Sequence, residues 1–325
     1  MQTGILVKDE MRAQIEKESG GRQTVLYTAK GQPAYMNVIP ALNCEDLGPE
    51  FGTGRHPAFI VNGKEVSEIF IATYQAVIRD GEALSLPGED PAVGIDFDQA
   101  RAACIACGSG WHLMSNWEWA AIALWCIKNG FGQLRGNTDF GKSHATPGEA
   151  GMITQYGRTL TGSGPDAWRH DGTPYGIADL VGNVWEWVDG LKLASGRIIM
   201  PADNSFTMPE ADWPDTGARI DIVDAALQFS DEITERDYGS ELFAKIGAKG
   251  GYTPQASLNR ALLCPVPGQD LPGRFWADNS EESEVLPVRG GYWHDAGYAG
   301  LAALVLGCGR SDRGSGLGFR PAFIG

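Results

Sequence analysis

The sequence predicts an α+β domain, on three observations. Two capped helices lie early in the chain, helical periodicity fades after residue 130, and the remainder breaks into short β-prone runs between Gly, Pro and Asp turns. No internal repeat is visible, and strands and helices do not alternate as they would in a doubly wound sheet. The 44 glycines and 10 tryptophans among 325 residues fit ordered loops pinned by large aromatic anchors.

Taken in order, Gln23–Ala29 and Ala34–Ile39 are β-rich runs on either side of Lys30-Gly31-Gln32, which predicts a hairpin. A Gly/Pro-rich stretch (LGPEFGTGRHP) and a turn at Asn62-Gly63 come next, so residues 1–66 read as a separate β-rich segment. Ile69–Ile78 reads as one strand entering the main body and ending at Asp80-Gly81. The first helix starts at Asp96, with Gln99 placed to complete a capping box. The second has the same device in Ser115 and Glu118 and closes at Asn129-Gly130. Its interior, WEWAAIALWCI, is apolar on nearly every side, which predicts a buried helix. Residues 196–284, with Pro201, Pro209, Pro214 and many acids, read as a long insertion between two core strands. Arg289–Trp293 and Leu317–Phe323 read as strands framing a stretch without consistent period.

Charge and cysteine usage narrow the function. Lys and Arg number 26 against 41 Asp and Glu, a net of −15. That opposes a nucleic-acid partner or insertion at an anionic membrane, because a phosphate-binding face needs a basic field. No apolar run reaches the ~20 residues of a membrane helix. MQTGILVKDEMRAQ has no basic start followed by an apolar stretch, so no secretion signal is visible. Cys44, Cys104, Cys107, Cys126, Cys264 and Cys308 form neither a disulfide ladder nor a zinc pattern. Cys104 and Cys107 make a CxxC, but with Ala100 and Ala103 they recur on one helix face, which reads as reduced core thiols.

Catalytic signatures are missing. There is no GxSxG elbow, no phosphate-binding loop and no GxGxxG, and His56, His112, His144, His170 and His294 are scattered. No residue is therefore assigned a catalytic role. Two segments stand out. In PYGIADLVGNVWEWVDG (174–190), Asn183 and Glu186 offer hard oxygen ligands for calcium, or else satisfy loop backbone while Trp185 and Trp187 fill the core. In 288–325, His294, Asp295, Tyr298, Val305, Gly307, Cys308, Asp312, Arg313 and Ser315 read as loop surface held by the flanking strands, where binding residues sit.

Three motifs in this order, WHLMSNWEWAAIAL, YGIADLVGNVWEWV and VRGGYW…LGFRPAF, resemble the formylglycine-generating-enzyme (sulfatase-modifying factor) branch of the C-type lectin fold, over roughly residues 67–325. With QTVLYTAKGQPAYMNVIPALN and HPAFIVNGKEVSEIFIATYQ, the chain is similar more narrowly to the variable proteins of diversity-generating retroelements. In these, mutagenic reverse transcription rewrites the last stretch of the domain. The resemblance implies a C-type lectin-like domain, two helices with irregular antiparallel β structure and long loops. It also implies a variable region at about 289–320, whose nine residues named above contact a ligand. Tyr298, His294, Asp295, Asp312 and Arg313 are the foremost of them. Each of the nine is reachable from an AAC codon by replacing only adenines. Gly290, Gly291, Trp293, Leu304, Leu306, Gly318 and Phe319 would be fixed, with Trp185, Trp187, Trp293 and the helix 116–128 supplying stability.

The implied function is non-catalytic binding of a protein or cell-surface ligand, on a phage particle or cell surface, without cofactor except calcium, and with an oligomer open. Two alternatives are an oxidase of the same fold and a phage tail structural protein. The oxidases use paired reactive cysteines just after the RGG motif. Here GGYWHDAGYAG has none, and Cys308 stands alone further along.

Overall fold

The computed structural model describes residues 2–280 and 283–325. The N-terminal hairpin forms where its turn signal places it. Strands β1 (Gln23–Tyr27) and β2 (Pro33–Pro40) pair antiparallel, and β2 continues onto β3 (Glu68–Ala72), so residues 1–66 are tied to the main body through a sheet. Ahead of the hairpin lies α1 (Gln2–Ser19), which the sequence does not announce. Among its residues 10–19 the large apolar side chains are Met11 and Ile15. Arg12–Glu16 and Gln14–Glu18 pairs at i,i+4 take the place of an apolar stripe.

The run Ile69–Ile78 is two strands rather than one. β3 ends at Ala72, and β4 (Ala76–Arg79) pairs instead with β5 (Glu82–Ser85) across the left-handed turn Asp80-Gly81. The break has a cause in buried polar groups. Thr73 donates to Asn37 Oδ1 at 2.7 Å, and Gln75 Nε2 donates to Glu186 at 3.0 Å. The chain bends so that both amide and hydroxyl find partners.

Both helices form with the caps read from the sequence. α2 (Phe97–Ile105) has the complete Asp96/Gln99 capping box, and α3 (Asn116–Lys128) the Ser115/Glu118 box. α3 is buried from Asn116 through Leu124 and again at Cys126. Cys104 on the inner side of α2 and Cys107 in the turn just beyond it are buried free thiols, as core residues. Ser115 also donates to Asn204 at 2.7 Å, so Ser115→Ala removes a cap and a buried hydrogen bond together. The expected loss is about 1–2 kcal/mol of unfolding free energy in urea titration.

Two sheets frame α3. The first runs β1-β2-β3-β17-β6, where β6 is Trp111–Leu113 and β17 is Pro321–Phe323. The second contains β7 (Trp185–Trp187), β8 (Lys192–Ala194), β9 (Arg197–Ile199), β10 (Asp215–Val223), β11 (Ala226–Ser230), β12 (Tyr238–Leu242), β13 (Arg274–Asp278), β14 (Glu284–Gly290), β15 (Gly300–Cys308) and β16 (Leu317–Phe319). Its order from one edge is β12-β13-β15-β14-β8-β9-β10-β11, with the two-residue strand Gly247–Ala248 parallel beyond β11 and β7 bridging β14 and β16. Pairing is mainly antiparallel, as expected, with parallel pairs at β13/β15 and β7/β16. The described residues of 196–284 contribute β9 to β13, which widen this sheet, and β13 brings them beside the C-terminal strands.

Candidate ligand-binding surface

The C-terminal stretch is anchored before it reaches solvent. Arg289 is fully buried, and its guanidinium donates twice to Asn116 Oδ1, at 2.7 and 3.0 Å, fixing the end of β14 to the start of α3. Gly290 and Gly291 then take φ of +93° and +91°. A Cβ on Gly291 would stand 2.4 Å from that of Ala299, so no other residue lets the chain turn here without moving that strand entrance.

In β15, Leu304 and Leu306 point into the core while Val305 faces outward. The register against β14 shifts between Leu286–Cys308 and Pro287–Leu306, which makes Gly307 a bulge. Cys308 is thereby returned to the face of Val305. Both join Trp185, Tyr292 and Leu317 around an open groove of about 260 Å³.

An aromatic belt extends this groove. Trp185 meets Trp276 edge-on at 5.8 Å, and Trp276 meets Tyr298 at 6.2 Å. The Arg274 guanidinium lies 4.8 Å from the centre of the Tyr298 ring. On the other side Tyr292 contacts Trp293, and His294 stacks on Trp293 and tilts against Phe140 at 4.9 Å. Tyr298 and Phe140 are 48% and 47% exposed, so the belt is open to a partner.

All nine residues singled out in the sequence are accessible to some degree. His294, Tyr298, Asp312, Arg313 and Ser315 are exposed, and Asp295, Val305, Gly307 and Cys308 are half-buried. Gly290, Gly291, Leu304, Leu306, Gly318 and Phe319, expected as framework, are buried. Trp187 is buried as expected, but Trp185 and Trp293 are not. They are half-buried because one face of each ring forms the belt rather than the core.

Several of the nine also hold the loops that carry them. Asp312 accepts the Gly309 N–H at 2.9 Å, and Arg313 reaches Asp96, the cap of α2, at 2.5 Å. A side chain at Gly307 would meet the Tyr238 ring at 3.0 Å. Trp276, Arg274, Tyr238 and Phe140 are contributors that the sequence does not single out. The alternation in Arg274–Asp278, with Phe275 buried and Trp276 half-buried, is the signal that marks Trp276 as outward.

Asp295 accepts the Tyr292 N–H at 2.9 Å and so closes the turn at the start of the loop. Burial pushes its carboxyl up to about 7, only partly offset by the Tyr292 N–H and the Trp185 indole. Between the ordinary value near 4 and about 7, the folded chain holds a proton that the unfolded chain releases. Stability therefore falls as pH rises through that window. Asp295→Asn removes this component, and its unfolding free energy is expected to gain about 2 kcal/mol on wild type between pH 5 and pH 8. Paired denaturant titrations at the two pH values check it.

The oxygens nominated for calcium are engaged by the protein itself. Asn183 Oδ1 accepts from Thr159 N at 2.8 Å and from Asn137 Nδ2 at 3.1 Å, and its Nδ2 donates to Gln75 at 2.8 Å. Glu186 is 1% exposed and receives Arg320 through both oxygens, at 2.5 and 2.6 Å. Among the described residues, no group of three or more His, Cys, Asp or Glu side chains is placed to hold a metal ion.

No protein-family model and no curated protein matches the chain. Among solved structures it is similar to PvdO from Pseudomonas aeruginosa, at 16% identity and a TM-score of 0.39, over 92% of this chain and 97% of that one. It is similar to Treponema denticola variable protein 1 at 14% identity and a TM-score of 0.36, over 93% and 98% of the two chains. The Major Tropism Determinant U1 variant aligns at 12% identity and a TM-score of 0.35, over 89% of this chain but 62% of that one, so this chain spans less than two thirds of its length.

Proposed function

We propose that this chain is a non-catalytic binding protein whose specificity is set by exchangeable residues between His294 and Ser315. The observation that supports it most is the division of burial along one stretch. Positions expected to vary reach solvent, while Leu304 and Leu306 between them and Gly290, Gly291, Gly318 and Phe319 on either side are packed. A backbone fixed by Arg289, Gly291 and the β15 pairing can carry different side chains without being rebuilt, and a preordered surface binds at low entropic cost. The partner class is a protein or cell-surface ligand, met from a phage particle or a cell surface. Tyr and Trp in the belt are the residue types that dominate such contacts.

Oxidase chemistry has little support in the thiols. Cys308 is the one cysteine lining the groove, and burial pushes it up to about 12. Cys104 and Cys107 are likewise held as thiols by burial. A surface with one protonated thiol lacks the paired thiolates that bind copper.

Randomising the nine positions with adenine-replaced AAC codons tests the reading. Most variants should retain a cooperative thermal transition, and selection against a panel of proteins should enrich binders whose specificity follows these positions. Widespread unfolding would overturn it, as would stoichiometric copper with oxidation of a cysteine-containing peptide. A near-identical copy of the 3′ end carrying AAC at these codons, beside a reverse-transcriptase gene, would support it independently.

A further inference from the structure

A second concavity shares no lining residue with this surface. It is a cleft of about 380 Å³ between β2, the C-terminal half of α3 and the loop at His170-Asp171. Its walls are apolar, with Ile39, Leu42 and Ile122 facing Trp125. From Asn116 to Cys126, Trp125 is the only α3 residue that is not buried. The helix thus leaves one indole flank uncovered, in a cavity of the size that small-molecule sites occupy.

One end of the cleft is polar and unevenly satisfied. His170 is 7% exposed, and its Nδ1 accepts the Ile177 N–H at 2.8 Å. The neutral ring therefore carries its proton on Nε2. Burial pushes the imidazole down to about 4, so it is neutral at pH 7. Among the described residues no protein acceptor meets that Nε2–H. Arg22 stands beside it, with Nη1 3.3 Å from Asp171. Asp171 is already engaged by the Thr173 N–H and hydroxyl, at 3.0 and 2.9 Å. The guanidinium also donates through Nε to the Ser19 carbonyl at 3.0 Å and through Nη1 to Thr173 Oγ1 at 3.4 Å, which leaves Nη2 without a hydrogen-bond partner among the described residues, on a side chain that is 52% exposed. Asn37 does not compete, because its amide is used by Thr73 and the Tyr175 carbonyl.

An apolar trough whose polar end offers the Arg22 Nη2 and the His170 Nε2–H, with the Asp171 carboxylate of the same lining already engaged by Arg22 and Thr173, selects an apolar body with an anionic acceptor head. We propose that this cleft binds a small amphipathic carboxylate, its chain against Trp125, Ile122 and Leu42 and its head on Arg22 and the His170 Nε2–H. The assignment is independent of the ligand surface at His294–Ser315.

Decanoate and decanol, titrated calorimetrically into the full chain, test it. Decanoate is expected to bind saturably at submillimolar concentration and to raise the melting temperature, with decanol about tenfold weaker for want of a charged acceptor. Arg22→Leu, on a half-exposed side chain, should bring decanoate down to the level of decanol. Leu42→Trp should fill the trough and abolish both. Absence of saturable decanoate binding to wild type would overturn the proposal. So would equal affinity for decanoate and decanol, or undiminished decanoate binding by Arg22→Leu. The Arg22 comparison stands even if Leu42→Trp fails to fold.

Discussion

Arg320→Met is expected to lower the unfolding free energy by about 3–5 kcal/mol in urea titration. Arg320 is fully buried where the chain passes from β16 in one sheet to β17 in the other. Its Nε and Nη2 meet the two oxygens of Glu186 in a bidentate pair, and its remaining donors reach the carbonyls of Ala72 at 3.0 Å and Ala178 at 3.1 Å. Methionine fills much of the same volume but leaves the Glu186 carboxylate without its cation, with only the Gln75 amide still donating to it, and takes one donor from each of two carbonyls in a low-dielectric interior. Most of the loss is thus the cost of the stranded Glu186 charge. The double variant Glu186→Met/Arg320→Met should recover more than half of it. A single variant as stable as wild type would contradict this account of how the two sheets are joined.

The second large effect lies at the belt. Against a partner obtained by selection, Tyr298→Ala should weaken binding by about thirtyfold or more, while its unfolding free energy changes by less than about 1 kcal/mol. The Tyr298 ring is 48% exposed and contacts Trp276 and Arg274 on the outward side of β13, so little of the core depends on it. Trp276→Ala should weaken binding comparably but also cost stability, because that half-buried ring packs on Trp185. Ser315→Ala should alter neither by much. Calorimetric titration paired with urea unfolding separates the two quantities. Equal loss of stability and binding for Tyr298→Ala would make it a packing residue.

The features legible in the sequence are local. Asp96 with Gln99 and Ser115 with Glu118 announce their helices within four residues, and an eleven-residue apolar run has nowhere to go but inside. Asp80-Gly81 marks its turn for the same reason. β15 is hidden because its first residues are buried on both faces, so Gly300–Leu304 shows no alternation. α1 is hidden by the opposite property, a charged helix with few apolar positions. The nine positions proposed to contact a ligand come from resemblance, whereas the belt around them cannot, because Trp276 and Phe140 arrive from distant segments. Residue type alone does not separate Trp187, which is core, from Trp185 two positions earlier, which is surface. Nor does it reveal that Asn183 and Glu186 are consumed by Gln75, Thr159 and Arg320.

β17 is an inner strand of the first sheet, between β3 and β6, only a few residues beyond Ser315. A frameshift anywhere from His294 to Ser315 replaces Arg320 and Pro321–Phe323 with unrelated residues. That sheet then loses an inner strand, and Glu186 loses its cation. The fold thus audits the reading frame of the segment just upstream. A chain frameshifted in this segment is expected to lose its cooperative unfolding transition, whereas in-frame exchanges at the exposed positions leave Arg320 and β17 intact.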